Sequence, residues 1–266
     1  MCNLYRLGKD GYAVAQHFGL GAVPVLAARA VIAPTEATLV IRAGNGGVER
    51  EAAWLRWGLI PSWAKPEMAS RPLTNARVET LAEKPAFRDA FRSRRCLIPA
   101  DGFYEWSAAQ EAGAGPESAR KGKRRRWLIR RDDDSLFAFA GLWETWRVPE
   151  SQHHAAAAPG GQVSLGFARQ PTPVGKSSTP GRESQVVRLI PGQIVATCTI
   201  ITTAAQPWLA PLHDRMPLVL PHSLYADWLD PHPRSASACA TLLAHAPERG
   251  WAIEDGRPCQ NSALNR

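Results

Sequence analysis

The chain has few cysteines, and none of them is spaced for a metal site. Its 266 residues include five cysteines, namely Cys2, Cys96, Cys198, Cys239 and Cys259. Their number is odd and no two have metal-ligand spacing, so neither a zinc site nor a disulfide framework is indicated. Cys96 and Cys198 lie within apolar runs, which is typical of small buried hydrophobic residues.

The sequence also lacks a long apolar run and a signal peptide. No stretch is apolar for long enough to cross a bilayer, and the N-terminus has no charged segment followed by an apolar one. We therefore expect a protein of the reducing cytoplasm with no membrane partner. Acidic residues number 24 against 32 Lys and Arg, which gives a formal net charge of +8. This excess favours an anionic partner, with nucleic acid first and an anionic surface second.

β-Branched and aromatic runs predict a fold dominated by strands. Strands are predicted at residues 37–42, 52–59, 95–106, 127–131, 136–143, 194–203 and 216–220. Helices are predicted at residues 10–20, 80–92, 223–229 and 236–244, with an interruption at Pro85 and an N-cap at Ser223. We expect Trp54 and Trp57 to pack in the core. Because most strands follow one another without a helix between them, the pattern predicts an α+β fold. It would be a single domain with an antiparallel, barrel-like β core flanked by short helices.

Two segments differ in composition from the rest of the chain. Residues 111–126 change from Gly- and Ala-rich to strongly basic, which predicts a long, solvated hairpin loop. Residues 148–192 are rich in Pro, Gly, Ser, Ala and Gln and predict a flexible insertion within the same domain. We expect one domain over residues 2–229, followed by a divergent C-terminal tail at residues 230–266.

The second residue is a cysteine, and removal of Met1 would turn it into a 1,2-aminothiol. A small second residue is the usual context in which an initiator methionine is removed. An α-amine has a pKa of about 7.7–8.0 and a thiol one of about 8.5, so both nucleophiles of Cys2 would be partly deprotonated near neutral pH. The amine can condense with an aldehyde, and the sulfur can then close a five-membered thiazolidine ring. From its position alone, Cys2 could equally be an ordinary, unreactive residue.

Four further segments contain side chains that suit this chemistry. Asn75 can orient a backbone group or an amine, and Arg77 offers a planar fork suited to phosphate. Glu105 lies among aromatic residues, where loss of hydration would disfavour its charged form and suit a proton shuttle near neutral pH. His213 can move protons near pH 7. Trp63 follows a Pro-Ser turn and could stack on a nucleobase.

Each of these residues also has an ordinary structural interpretation. Asn75 and Arg77 could belong to a helix-capping turn with a surface arginine. Glu105 could be an exposed carboxylate paired with one of the many arginines. His213 could make structural hydrogen bonds, and Trp63 could pack in the core.

The order of the short motifs is more specific than any one of them. Met-Cys at the start is followed by Trp-Gly-x-x-Pro-x-Trp, Asn-Ala-Arg-x-Glu, Ala-Asp-Gly-Phe-Tyr-Glu-Trp, Ala-Gly-Leu-Trp-Glu, Thr-Thr-Ala-Ala and His-Asp-Arg-Met-Pro. This order strongly resembles that of the SRAP family, the SOS response-associated peptidase-like proteins. The resemblance extends from Cys2 to about Leu229, apart from the insertion.

The resemblance implies a sensor and shield of abasic sites in single-stranded DNA. Such a protein removes its own Met1, in the sense of a peptidase, and has a lyase-like crosslinking activity. Its Cys2 would form a thiazolidine crosslink with the ring-opened sugar aldehyde. The resemblance also implies a monomer of the bacterial cytoplasm or nucleoid that requires no metal or organic cofactor.

Roles for individual residues follow from the same resemblance. Asn75 would position the N-terminus, Arg77 would grip the phosphate beside the lesion, and Glu105 and His213 would move protons. The catalytic residues would be Cys2, Asn75, Glu105 and His213. The DNA-binding residues would be Arg77, Arg215 and Trp63.

Two other functions remain open on the sequence alone. An N-terminal-nucleophile hydrolase of the glutaminase type may also begin Met-Cys, and a glutaminase assay would identify it. A non-covalent single-stranded DNA-binding protein would use only the basic stretch and the tryptophans. Its binding would depend on salt and would be indifferent both to Cys2 and to the lesion.

Overall fold

Thirteen short strands and five short helices make up most of the described chain. The computed structural model describes residues 3–44, 47, 49–107, 125–150, 185–244 and 249–256. The strands are β1 Leu4–Leu7, β2 Arg29–Ile32, β3 Ala37–Ala43, β4 Arg50–Trp57, β5 Asn75–Arg77, β6 Arg95–Ala100, β7 Gly102–Ser107, β8 Arg125–Arg131, β9 Phe137–Arg147, β10 Ile194–Ala204, β11 Arg215–Pro217, β12 Val219–Leu220 and β13 Trp251–Asp255. The helices are α1 Gly11–Phe18, α2 Pro66–Ala69, α3 Arg88–Ser93, α4 Tyr225–Leu229 and α5 Ala236–Leu243. None of these helices is long and apolar enough to span a bilayer.

Five of the strands close into a barrel. β10 pairs with β4, β4 with β3, β3 with β6, β6 with β9, and β9 pairs back with β10. All of these pairs are antiparallel except β4–β10, which is parallel and places Trp57 opposite Cys198. Closure leaves these strands without an open edge where they meet, and it confirms the predicted α+β class with a barrel-like β core.

The barrel interior is filled by large apolar side chains that alternate along the strands. Tyr5, Trp57 and Phe139 are all fully buried. The ring of Tyr5 makes edge contacts with the rings of Trp57 and Phe139, at centroid distances of 5.4 and 5.7 Å. Such edge-to-face pairs stabilise a core by about 0.5–1.5 kcal/mol beyond simple burial. Since Tyr5 belongs to β1, this contact ties the N-terminal strand to the barrel.

A second sheet of five strands, in the order β13-β8-β7-β1-β2, covers one side of the barrel. The chain passes from the barrel strand β6 to β7 of this second sheet through the single buried residue Asp101. The Asp101 carboxylate accepts hydrogen bonds from Arg6 Nε at 2.8 Å, Gly8 N at 2.7 Å and Lys9 N at 3.1 Å. The bend at Asp101 is therefore held by Arg6 of β1 and by the two residues that follow this strand, and it takes β7 into the second sheet.

Four predicted elements differ from the structure. The strand predicted at 216–220 is two strands, β11 and β12, which pair with β10 and β9 respectively. The single strand predicted at 95–106 is two strands, because the chain bends at Asp101. The helix predicted at 80–92 is reduced to a 3-10 turn, Val78–Thr80, and α3, since Pro85 interrupts it. Ser223 is not a helix cap; it lies inside a 3-10 turn, His222–Leu224, and α4 begins after it without a side-chain cap.

Four strands were not predicted at all, namely β1, β2, β5 and β13. Beyond Leu229, helix α5 buries Cys239 and β13 pairs with β8, so the described part of the segment 230–266 packs on the same domain. The domain boundary predicted at Leu229 stays a prediction. Most of the predicted basic loop and insertion lie outside the described residues. The ends of the insertion do not: Val148 packs with Leu189 against a small apolar cluster.

Candidate functional site

One barrel strand continues past the barrel and carries two short strands beside it. The first part of β10 pairs with β4 and β9 inside the barrel. Beyond it, β10 pairs with β5 on one edge and with β11 on the other, where Thr202 lies opposite both Arg77 and Pro217. Residues distant in sequence thus meet along one strand, which brings Asn75, Arg77 and Arg215 to the same part of the molecule.

The position of β5 is fixed by the barrel beneath it. The indole N–H of Trp57 donates to the carbonyl of Thr74 at 2.9 Å, and Leu59 and Leu73 exchange backbone hydrogen bonds of 2.9 and 3.0 Å. Asn75 follows directly and is half-buried, with its Nδ2 donating to Thr74 Oγ1 at 3.3 Å. Asn75 is therefore held by backbone pairing on one side and by the barrel on the other.

Gly58 allows the chain to turn between the barrel and this strand. Its φ is +123°, a conformation that residues with a side chain rarely adopt. A Cβ atom at this position would lie 2.7 Å from Cβ of Pro72, so the glycine also permits a close approach. In the motif Trp-Gly-x-x-Pro-x-Trp, Trp57 therefore packs in the core, and Gly58 lets the chain turn towards β5.

Glu105 is a buried carboxylate on β7. Its side chain is almost fully enclosed, with 1% of the residue exposed, and its Oε1 has no hydrogen-bond partner among the described residues. Burial, helped by the negative charge of Asp214, raises the pKa of Glu105 from 4.5 to about 7. A carboxyl group with this pKa could both accept and donate a proton near neutral pH, so Glu105 as a proton shuttle stays a prediction.

The strands beside β7 place Glu105 next to the start of the chain. Leu4 of β1 pairs with Tyr104, and Trp127 of β8 pairs with Glu105 on the opposite edge. Residues directly opposite each other in an antiparallel pair point to the same face of the sheet, so Trp127 covers the side of Glu105. Its indole N–H donates to Ser107 Oγ at 2.8 Å, and the guanidinium of Arg125 lies over its ring, 4.1 Å from the centroid.

His213 lies in the turn before β11. The backbone N–H of Arg215 donates to Nδ1 of His213 at 2.9 Å, and Oδ1 of Asp214 lies 2.8 Å from the same nitrogen. Burial lowers the pKa of His213 below its usual value of 6.5. In the neutral ring, the hydrogen bond from the Arg215 N–H makes Nδ1 the acceptor and leaves the proton on Nε2.

Arg215 is held by the carboxylate of Glu79, which was not among the predicted site residues. Its Nη1 donates to Glu79 Oε1 at 2.6 Å and its Nη2 to Glu79 Oε2 at 3.0 Å, while Nη2 also donates to the carbonyl of Thr202 at 2.8 Å. The Arg215 side chain is 13% exposed. The motif Asn-Ala-Arg-x-Glu contained Glu79, but its partner lies 136 residues further along the chain.

The remaining predicted DNA contacts lie at the surface. Trp63 is 56% exposed, and Arg77 is exposed at the end of β5. Lys65 is exposed two residues beyond Trp63. An exposed indole beside cations is the combination that binds single-stranded nucleic acid, through base stacking and phosphate contacts.

The structure brings together most of the predicted site residues. β5, β7 and the turn before β11 supply Asn75, Glu105 and His213. Cys2 lies outside the described residues, together with Met1. The chain reaches this region nonetheless, since β1 begins at Leu4 beside the strand that carries Glu105.

Comparisons with known proteins agree on one family and one fold. Residues 1–255 match the family model described as SOS response associated peptidase (SRAP). The chain is 35% identical over 212 residues to the Abasic site processing protein YoaM of Bacillus subtilis, a match that covers 80% of this chain and 70% of that protein. It is 27% identical over 208 residues to the Abasic site processing protein HMCES of Pongo abelii, covering 68% of this chain and 46% of that protein.

Two solved structures share the fold. A protein from Bordetella bronchiseptica matches with a TM-score of 0.65 at 25% identity, over 95% of this chain and 98% of its own. A protein from Bacteroides thetaiotaomicron matches with a TM-score of 0.66 at 21% identity, over 95% of this chain and 90% of its own. The closed barrel with its covering sheet is therefore a recurring architecture.

Proposed function

Because the chain belongs to the SOS response associated peptidase (SRAP) family, we propose that it binds abasic sites in single-stranded DNA and crosslinks to them through Cys2. Relatives at 35% and 27% identity are named abasic site processing proteins. The net charge of +8 favours a nucleic-acid partner. An abasic site contains a latent aldehyde, and an N-terminal aminothiol is a group that traps aldehydes.

One observation carries the proposal. Glu105 is a buried carboxylate with a pKa of about 7, and it lies on the strand that pairs with β1, where the chain starts. One residue, Asn3, separates Cys2 from Leu4, so the Cα atoms of these two residues lie at most about 7 Å apart in an extended chain. A nucleophile at Cys2 is thereby tethered close to a group able to accept and return protons at neutral pH.

The crosslink forms in two steps with the loss of one water. The α-amine of Cys2 adds to the aldehyde carbon of the ring-opened sugar, and the resulting carbinolamine loses water to give an imine. The thiolate then adds to the imine carbon, and the nitrogen takes up a proton to complete the thiazolidine. The chemistry consumes no oxidant, reductant or cofactor.

Protons must move at three points in this sequence, and two residues supply them. Glu105 in its ionised form accepts a proton from the amine or thiol of Cys2, and its protonated form returns it to the ring nitrogen. His213 donates a hydrogen bond from Nε2 to the oxygen that leaves as water. Asn75 holds the terminal amine in line with the aldehyde carbon.

Three side chains hold the DNA on either side of the lesion. Arg77 contacts a phosphate through its planar fork, and Trp63 stacks on a neighbouring base. Arg215 contributes positive charge at the same strand ends. These contacts are independent of the base that is missing, so they suit a protein that meets abasic sites in any sequence.

Cys2 becomes reactive only after Met1 is removed. We propose that the protein catalyses this hydrolysis itself: water adds across the Met1–Cys2 peptide bond, methionine leaves, and the new amine is released. This autopeptidase step uses the same surroundings as the crosslink, because both reactions centre on the atoms of Cys2.

Intact-mass spectrometry tests the proposal directly. Purified protein is incubated with a single-stranded oligonucleotide that has one abasic site, and with the same oligonucleotide without it. The expected product lacks Met1 and gains the mass of the abasic oligonucleotide minus one water. Cys2→Ala should abolish this product while leaving much of the DNA affinity.

The other outcomes are equally informative. A crosslink formed by the Cys2→Ala variant would show that another residue is the nucleophile. No crosslink from a protein with its Cys2 amine exposed would leave a non-covalent DNA-binding protein. A protein that keeps Met1 would contradict the self-processing step.

A further inference from the structure

The turn that holds His213 is tied to a distant part of the chain by one arginine. Arg215 begins β11, and its guanidinium crosses β10 to reach Glu79 in the 3-10 turn after β5. Both carboxylate oxygens of Glu79 accept from it, at 2.6 and 3.0 Å, and the carbonyl of Thr202 accepts from it at 2.8 Å. A bidentate pair of this kind fixes the plane and the direction of the arginine.

The backbone of the same arginine determines the state of His213. Its N–H donates to Nδ1 at 2.9 Å, which obliges the neutral ring to carry its proton on Nε2. The carbonyl of Asp214 accepts from Ala205 N at 2.9 Å, so both residues after the histidine are bonded to β10 or its extension. Any movement of the Arg215 backbone would release Nδ1.

We propose that Glu79 is a positioning residue which, through Arg215, fixes His213 as an Nε2–H donor. This inference rests on the proposed function and deepens it, since it says how one proton-transfer residue is prepared. The Glu79 side chain is half-exposed and pairs with Arg215. Its carboxylate anchors the guanidinium, the guanidinium anchors the start of β11, and the Arg215 N–H sets the tautomer of the ring.

Asp214 lies where it can accept a hydrogen bond from the His213 ring when that ring is protonated. Its Oδ1 lies 2.8 Å from Nδ1, and the side chain is 87% exposed. Nδ1 cannot accept from Arg215 N–H and donate to Asp214 at the same time. The neutral ring therefore uses the Arg215 N–H, and a ring protonated during the reaction turns its Nδ1–H to the carboxylate.

A competing role for Glu79 makes the opposite prediction. If Glu79 only occupied Arg215 until a DNA phosphate displaced it, its removal would free the guanidinium. Single-stranded DNA would then bind more tightly, and the slope of log affinity against log salt would be steeper by about 0.7. His213 would be unaffected.

The experiment compares Glu79→Gln with a matched control, Glu83→Gln. Both remove one negative charge from the same stretch, and the Glu83 side chain is exposed and makes no ion pair with any described residue. The protein is labelled with ¹⁵N-histidine, and long-range proton–nitrogen spectra at pH 8 report the tautomer of each ring. His213→Gln assigns the signal of interest.

We expect the parent protein and Glu83→Gln to show His213 with its proton on Nε2. Glu79→Gln should show both tautomers, and it should crosslink to the abasic oligonucleotide about tenfold more slowly. Arg215→Lys, which keeps the charge but loses the fork, should behave like Glu79→Gln. If Arg215→Lys instead kept the tautomer and the crosslinking rate of the parent protein, the positive charge of Arg215 alone would matter.

The spectra decide the inference even if the protein forms no crosslink. A single Nε2–H tautomer in Glu79→Gln would overturn it, and tighter salt-dependent DNA binding in that variant would establish the competing role. Failure of the parent protein to crosslink would instead contradict the proposed function. The two failures are thereby distinguishable.

Discussion

Two buried polar side chains, Thr197 in the closed barrel and Glu105 beside it, differ in how far their hydrogen bonds are satisfied. In the barrel, Thr197 Oγ1 accepts from Ile60 N at 3.1 Å and donates to the carbonyl of Glu144 at 3.3 Å. At the strand ends, Oε1 of Glu105 is equally buried and has no partner among the described residues. The satisfied threonine stabilises the fold, whereas the unsatisfied carboxylate costs stability and holds its pKa near 7.

The two tryptophans of the motif Trp-Gly-x-x-Pro-x-Trp also differ, here in burial. Trp57 is fully buried in the barrel and donates to the carbonyl of Thr74. Trp63, six residues on, is 56% exposed. The same residue type therefore supports the fold at one position and offers a binding surface at the other, and substitutions at the two positions should separate stability from DNA binding.

The largest expected effect belongs to the barrel. Trp57→Ala removes a fully buried indole and should lower the free energy of unfolding by about 3–5 kcal/mol. Urea denaturation followed by circular dichroism measures the loss. The matched substitution Trp63→Ala should change the same quantity by less than about 0.5 kcal/mol, because the exposed indole packs little surface. Equal losses of unfolding free energy in the two variants would show that Trp63 supports the fold as much as Trp57 does.

Glu105→Gln should have the next largest effect, and it should be stabilising. The folded pKa of about 7 lies above the ordinary 4.5, so the folded state binds more protons than the unfolded state between these values. Stability therefore falls as pH rises from 4.5 to 7. At pH 8 the glutamine variant should be more stable by up to about 3 kcal/mol, and at pH 4 the two proteins should be nearly equal. Denaturation at both pH values measures this, with Glu83→Gln as the control.

The same substitution should abolish the pH dependence of crosslinking near neutrality. Ionised Glu105 accepts the proton, so the rate should rise towards pH 7 and then level off. Glu105→Gln should lower the rate about 100-fold and flatten this rise. A profile that keeps its rise in the variant would assign it to another group.

The sequence contained enough information to predict the barrel strands and the character of β7. Runs of β-branched and aromatic residues indicated β3, β4, β8, β9 and β10. Side chains two residues apart on a strand point to one face, so Phe103 and Glu105 share a face of β7, and both are buried. Trp57 was correctly expected in the core. These features follow from local patterns, which a sequence records directly.

The parts that could not be predicted depend on contacts between distant residues. β5 is only Asn75–Arg77, and it is a strand because β10 lies beside it. The bend at Asp101 is set by Arg6, Gly8 and Lys9 from the start of the chain. The pairing of Glu79 with Arg215 could not be predicted either, because the two residues are 136 positions apart in the sequence. Short polar segments take their structure from their partners, so local propensity says little about them.

Trp63→Ala should weaken DNA binding moderately and leave the chemistry intact. Loss of one stacked base costs about 1–3 kcal/mol, which corresponds to roughly a 5- to 150-fold weaker affinity for single-stranded DNA. Fluorescence anisotropy with a labelled abasic oligonucleotide measures this. At saturating protein the crosslinking rate should match that of the parent, since Trp63 lies apart from the reacting atoms. A lower rate at saturation would place the indole in the reaction itself.

The smallest effect is expected from Arg77→Ala, because one phosphate contact among several is lost. Binding of single-stranded DNA should weaken about equally for abasic and intact oligonucleotides, and the slope of log affinity against log salt should fall by about 0.7. The free energy of unfolding should hardly change, since Arg77 is exposed at the end of β5. Anisotropy titrations at several salt concentrations test this, with Arg88→Ala, an exposed arginine of α3, as the control. A loss confined to abasic DNA would instead indicate that Arg77 reads the lesion rather than the backbone.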